Sequence, residues 1–247
     1  MLKRSKYHPS AETLLLKNEG LGETRFHGFS SGLIQFLTSL SENNNHAWFE
    51  KHRPYYQDHV LAPLKKLVTD MSDWMLCIDP GLEVEPAVNK TISNIHHADD
   101  SPLDASPYKT NVWVMFKRPV PDWQDAPAFF FEITSAWYRY GMGLYHISEK
   151  TMNRLRKRIT DDPEDFYKAI LFLEKQNTFT LSGEIQDQIP LPKIPKPLQE
   201  WYRRKNVYIV SVHNDFTPLY STQILDDLLK GFAHLSPLYY YLWELKK

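Results

Sequence analysis

The sequence predicts an α+β fold, a central, mainly antiparallel, aromatic-rich sheet with helices from both chain ends packed on it. Two observations carry this. Alternating apolar segments cluster mid-chain, and three-to-four apolar spacings occupy the segments before and after them. Strands segregated from helices in this way define the α+β class. The composition agrees: 42% hydrophobic and 14% aromatic residues are too many for a disordered chain.

Residues 1–25 hold Lys3, Arg4, Lys6, Lys17 and Arg25 among Gly20 and Gly22, and read as an N-terminal arm or loosely docked helix. They contain no apolar signal core, so a cytoplasmic location is expected. Residues 26–247 read as a single domain. Ser30 is expected to cap a first helix, with Phe29 stapled onto Ile34 and a buried stripe of Leu33, Phe36, Leu37 and Leu40. Asn43, Asn44 and Asn45 break it. A long helical region follows from Phe49 to Trp74, which Pro54 and Pro63 should kink or restart. Asp79-Pro80-Gly81 is a turn, and Leu82 to Ile95 favours strand over helix.

Tyr108 to Phe116 alternates, with Val112, Val114 and Phe116 on one face and Asn111, Trp113 and Met115 on the other. Both faces are apolar enough for a central strand. A second strand holds Phe129, Phe131 and Ile133, and a third spans Trp137 to Tyr145, with Gly141 and Gly143 at a bend or bulge. Ser148 caps a helix buried through Met152, Leu155 and Ile159, and Asp162-Pro163 opens another with Phe166, Ile170 and Leu173. The proline-rich stretch 189–197 is a surface crossover. Val207 to Val212 is a late strand. Leu225 to Leu235 is an amphipathic helix, and Ser236-Pro237 is expected to start a separate last one.

Several function classes are excluded. There is no apolar run long enough for a membrane span. A single cysteine, Cys77, rules out an internal disulfide, and its apolar surroundings suit an inert thiol. A net charge of −1 argues against a general nucleic-acid binder, and the short aromatic-basic run Trp201 to Lys205 does not outweigh it. No glycine-rich phosphate loop, nucleophile elbow or paired-histidine zinc motif is present. His96 to Asp100 offers two imidazoles and two carboxylates, but neighbours on extended chain point to opposite faces, so no metal site is assigned.

The turn Asp104-Ala-Ser-Pro-Tyr-Lys109 feeds straight into the central strand. Asp104 and Ser106 can fix the turn through backbone amides, which presents Tyr108 and Lys109 on opposite faces. A desolvated Lys109 over a pocket would bind an anion or act as a base. Lys150 to Arg158 is a basic helix in which Arg154 and Arg158, one turn apart, could grip an acidic group. Its plainer reading is a solvated helix face.

Several of these pieces together resemble one family. Asn43-Asn44 with Trp48-Phe49 resembles an Asn-Asn-x-x-x-Trp-Phe signature, with Tyr56 and Pro63 following in place. Asp104-x-Ser106-Pro107-Tyr108-Lys109 resembles Asp-Lys-Ser-Pro-Tyr-Lys. Gly143-Leu144-Tyr145, Leu155-Arg156 and Phe232-x-x-Leu235-x-Pro237-Leu238-Tyr239 complete the pattern. Over residues 26–245 the chain is similar to the microbial domain-of-unknown-function family numbered 2461. The resemblance implies one α+β domain and a cytoplasmic protein, and names no reaction or cofactor. The chain departs from the pattern at His97 to Pro102, where the family carries Arg-Asp-x-Arg-Phe-Ser, and at Ala105, where it carries lysine.

The function expected is binding or conversion of an anionic small molecule near the Asp104–Lys109 turn. Lys109, Tyr108, Asp104 and His97 are the candidate catalytic groups. Arg139, Arg154, Trp113 and Tyr145 are the candidate ligand-binding ones. The alternative is a non-catalytic interaction module, acting through Lys150–Arg158 and the aromatic Tyr239–Tyr241 run or forming a homo-oligomer.

Overall fold

The computed structural model describes residues 25–97 and 106–246. The arm expected at 1–25 (save Arg25), and Asp99, Asp100 and Asp104, lie outside the described residues. Helix α1 runs Gly32–Glu42 and buries Leu33, Phe36, Leu37 and Leu40 as its spacing predicts. Its cap differs from expectation. Ser31 holds the N-cap position without a side-chain bond, and the Ser30 hydroxyl pairs instead with His59 Nδ1 at 2.9 Å.

Helix α2 spans His46–Tyr56, capped by Asn45, whose side chain accepts the Trp48 N–H. Pro54 lies inside it. The next turn, Gln57–Leu61, widens to a π-helix, and α3 (Ala62–Ile78) restarts with Pro63 in its first turn. Missing proline N–H groups account for the irregularity. Residues 82–95 form isolated bridges, among them Ile92 with Val114, rather than a regular strand. Pro86 and the left-handed Asn89 (φ 66°) interrupt the ladder there.

The sheet comprises β1 (Asn111–Phe116), β2 (Pro127–Thr134), β3 (Tyr138–Leu144), β4 (Thr180–Ser182) and β5 (Tyr208–His213). Its order is β1-β2-β3-β5-β4, and every neighbour is antiparallel. Pairing across Gly141 and Gly143 is unbroken, so the expected bulge is absent. A Cβ at Gly141 would lie 2.0 Å from the Ile209 carbonyl oxygen, and this close strand approach explains the glycine.

Helix α4 (Glu149–Asp161) is capped by Ser148, and α5 (Pro163–Ile170) by Asp162, as expected. Helix α6 spans Lys196–Arg203 after the proline-rich crossover. Helix α7 runs Gln223–Trp243 without interruption, so Ser236-Pro237 does not start a separate helix. Pro237 cannot donate to the Ala233 carbonyl one turn back, and the Ser236 hydroxyl donates to it instead at 2.8 Å.

One sheet face meets these helices. Phe129 packs its ring 5.0 Å from Phe232 and 4.8 Å from Tyr239 of α7. Register puts Val112, Val114, Phe131, Ile133, Tyr138, Tyr140 and Ile209 on that same buried face. Asn111, Trp113, Met115, Phe130, Glu132 and Arg139 occupy the second face, and that face carries the cavities described next.

Candidate functional site

The turn leading into β1 is held by segments distant in sequence, residues 44–49 and 94–97. His96 and Tyr108 form an antiparallel bridge. The flanking bonds run from Lys109 N–H to the Ile95 carbonyl at 2.8 Å and from His97 N–H to the Pro107 carbonyl at 3.1 Å. Asn44 secures Tyr108 by its main chain: Nδ2 donates to the Tyr108 carbonyl at 2.7 Å and Oδ1 accepts the Tyr108 N–H at 3.0 Å. The Tyr108 ring is fully buried, stacked 4.1 Å from Phe49, and its hydroxyl meets His46 Nδ1 at 3.0 Å. Alternation then sends Lys109 to the opposite side. Its Nζ donates to the Asn94 carbonyl at 3.0 Å.

Lys109 opens a same-face row. Lys109, Asn111, Trp113, Met115 and Lys117 are spaced by two along β1 and its flanks, and all five line one cavity of about 710 Å³. Asn94, His97 and Tyr145 line it as well. A second cavity of about 280 Å³ continues across the sheet, bounded by Phe130, Arg139 and Tyr208. The two share Trp113, Met115 and Tyr145, so they form one groove with two lobes.

The lobes differ in charge. In the smaller one Arg139 donates through Nε to Glu132 Oε2 at 2.6 Å, and Asn111 donates to Glu132 Oε1 at 2.6 Å. Glu132 is 2% exposed. Burial raises its carboxyl pKa, against the opposing pull of Arg139 and Asn111. The Arg139 guanidinium lies 5.5 Å from the Trp113 ring and 5.8 Å from that of Phe130. Ion pairing leaves this lobe close to neutral.

The larger lobe is cationic. Lys109 and Lys117 are half-buried, and burial lowers the pKa of both below the ordinary lysine value. Lys117 Nζ sits 3.4 Å from the centre of the Trp123 ring. Among the described residues neither ammonium has a carboxylate within the 4.0 Å of an ion pair. Beyond ion-pair distance, the Glu83 carboxylate still acts on Lys117 and partly opposes the effect of its burial.

The structure thus brings together Lys109, His97, Trp113, Tyr145 and Arg139 in the groove. It separates Tyr108, which faces the core on the other side of the turn. Arg154 is also elsewhere: on α4, it donates to the Leu245 carbonyl at 2.7 Å. Its neighbour Arg156 donates to the carbonyls of Tyr202 and Arg204. These two arginines of the basic helix therefore tie chain segments together instead of forming a solvated face. His96 and His97 diverge, as alternation requires: His96 packs on Tyr108 and Phe49, while His97 lines the groove. Among the described residues, no three His, Cys, Asp or Glu groups cluster closely enough to hold a metal ion. No described helix is long and apolar enough to cross a membrane.

Reading the sequence alone misses Lys117, Glu132, Phe130 and Asn94. The signal for Lys117 was present in the spacing of two that continues from Met115. Glu132 and Asn94 carry no local signal, because cross-strand register and the bridge at Lys109 place them.

A protein-family model, described as "Conserved hypothetical protein (DUF2461)", matches residues 32–241. No curated protein matches the chain. The chain belongs to the DUF2461 family. Asn44 and Phe49 hold Tyr108, which aims Lys109.

Proposed function

For this DUF2461 member we propose that the groove on the second sheet face binds an anionic small molecule, with Lys109 and Lys117, at opposite ends of the same-face row, as separate cationic anchors. The observation that carries this reading is the presence in one cavity of two half-buried ammonium groups, neither in ion-pair contact with a carboxylate among the described residues. Keeping a charge partly desolvated and unpaired is unfavourable in the free protein and is offset when an anion arrives. Trp113, Met115 and Tyr145 supply the apolar wall typical of a ligand site. His97 lines the same lobe and is the group placed to exchange a proton with a bound molecule. Asp104, outside the described residues, would act by fixing the turn. We place this activity in the cytoplasm, within one domain whose core cluster extends from Phe26 to Leu245.

The test is thermal unfolding with inorganic pyrophosphate at matched ionic strength. The wild-type chain should gain stability with increasing pyrophosphate, and the Lys109→Met/Lys117→Met variant should not. Equal gains in both proteins would remove the lysines from the site.

A further inference from the structure

A further cavity, of about 260 Å³, opens between α1 and α2 and shares no lining residue with the groove. Gln35, Ser39 and Asn43, one helical turn apart, line it from the α1 side, and Trp48, His52 and Tyr55 from α2. Phe36 forms the floor at 2% exposure, its ring 5.7 Å from that of Trp48 and 6.4 Å from that of Tyr55. Ser39 and His52 stand in the middle of their stripes, and the small serine leaves the room between the helices. Asn44 and Phe49 hold Tyr108, whereas their neighbours Asn43 and Trp48 face this cleft, and the groove makes no use of them.

No Lys, Arg, Asp or Glu lines the cleft, so an ion entering it would shed water without meeting a counter-charge. Internal bonds orient the polar groups and leave the complementary atoms over. The Tyr55 hydroxyl donates to Gln35 Oε1 at 3.3 Å, which leaves Gln35 Nε2 as a donor. Asn43 Nδ2 donates to the Ser39 carbonyl at 3.0 Å, which leaves Oδ1 as an acceptor. His52 Nδ1 donates to the Trp48 carbonyl at 2.8 Å, which makes Nε2 the acceptor of the neutral ring. Among the described residues no hydrogen bond takes up the Ser39 hydroxyl or the Trp48 indole N–H. Donors and acceptors thus border the same cleft as the half-buried rings of Trp48 and Tyr55.

We propose that this cleft is a second binding site, independent of the groove, and that it takes a neutral sugar ring. A sugar hydroxyl both donates and accepts, so hydroxyl groups match the Ser39 hydroxyl and His52 Nε2 at mid-cleft and the Gln35 amide one turn away, with no net charge to balance. Asn43, at the other end, offers its acceptor to a ring substituent. The C–H groups of the sugar lie against the aromatic surface of Trp48 and Tyr55.

The experiment is 1H–15N NMR of the full chain, reading the Trp48 indole N–H, assigned by Trp48→Phe. The probes are D-glucose, D-galactose, D-mannose, N-acetyl-D-glucosamine and D-ribose, with choline chloride as a cation that also seeks aromatic surface. At least one sugar is expected to shift the Trp48 signal saturably, half-maximally at about 1–10 mM, while the other tryptophans stay in place. Ser39→Leu, which fills the cleft at mid-length, should weaken that sugar by about tenfold or more. Gln35→Ala, at an exposed position, repeats the test should Ser39→Leu unfold. The assignment falls if no sugar moves the Trp48 signal by about 50 mM, or if all seven tryptophans move alike. It falls equally if the folded variant binds the sugar as the wild type does. A shift with choline and with no sugar makes the cleft a cation site and overturns the sugar assignment.

Discussion

Asn44 grips Tyr108 by both of its main-chain groups, donating to the carbonyl at 2.7 Å and accepting the N–H at 3.0 Å across 64 residues of sequence. The carboxamide acts as a one-residue strand partner for Tyr108. The residue so held is the immediate neighbour of Lys109. A polar side chain in the helical N-terminal region therefore sets the position of a cation in the groove.

Asn44 and its neighbour Asn45 should separate structure from function. Asn45 caps α2 through the Trp48 N–H at 2.9 Å, and its Nδ2 donates to the Asn43 carbonyl at 3.3 Å, both contacts local to the turn. Asn45→Ala should cost about 1 kcal/mol and leave pyrophosphate affinity unchanged. Asn44→Ala leaves two main-chain groups of a buried residue unpaired, and should cost about 1–3 kcal/mol. It should also weaken pyrophosphate binding, because Lys109 loses its anchor. Denaturant unfolding and calorimetry on both variants check the contrast.

Lys109 and Lys117 should make stability rise with pH. Both have pKa values lowered from 10.5 by burial. Between the lowered value and 10.5 the unfolded chain binds more protons than the folded one, so folding stability increases with pH across that window. The Lys109→Met/Lys117→Met variant should lose this increase, and near neutral pH its unfolding midpoint should rise, because the cost of holding the ammonium groups partly out of water is gone. Anion affinity should run the other way, falling as pH rises and the ammonium groups deprotonate. Unfolding curves and pyrophosphate titrations from pH 7 to about 10.5 test both slopes.

A second network, remote from this proposal, should govern acid stability. Asp79 is 4% exposed and accepts from Arg118 Nε at 2.7 Å, Arg118 Nη2 at 3.0 Å, the Gly81 N–H at 2.9 Å and the Tyr239 hydroxyl. Burial alone would raise its pKa, but these donors together hold it below the ordinary carboxylate value of 3.8. A depressed carboxyl pKa stabilises the fold above 3.8, and that contribution is lost as pH falls through the folded value. Asp79→Asn should cost about 2 kcal/mol at neutral pH and flatten the acid limb of the unfolding curve.

Much of the architecture was legible because single elements announced themselves. The stripe of α1, the caps Ser148 and Asp162 and the alternation of β1 each rest on local spacing. What escaped depended on distant partners. Ser30 failed as a cap because His59, on the π turn, competes for its hydroxyl. Ser236-Pro237 failed as a helix start because α7 is held on both sides of it, by Phe232 and Tyr239 against Phe129, and Ser236 takes over the orphaned carbonyl. In the site, Lys109, His97, Trp113, Tyr145 and Arg139 converge, whereas Arg154 does not, since nothing local distinguishes a basic helix face from one that ties down the C-terminal segment.

The most direct measurement is NMR of the full chain with 13C-labelled lysine side chains during titration with inorganic pyrophosphate. The Cε signal of Lys109 or Lys117, assigned by the single Lys→Met variants, should move saturably. The pKa of that lysine should rise towards 10.5 in the bound state, because a bound anion favours the ammonium form. If both signals stay in place at saturating pyrophosphate, or move no more than that of the exposed Lys150, the groove is not an anion site.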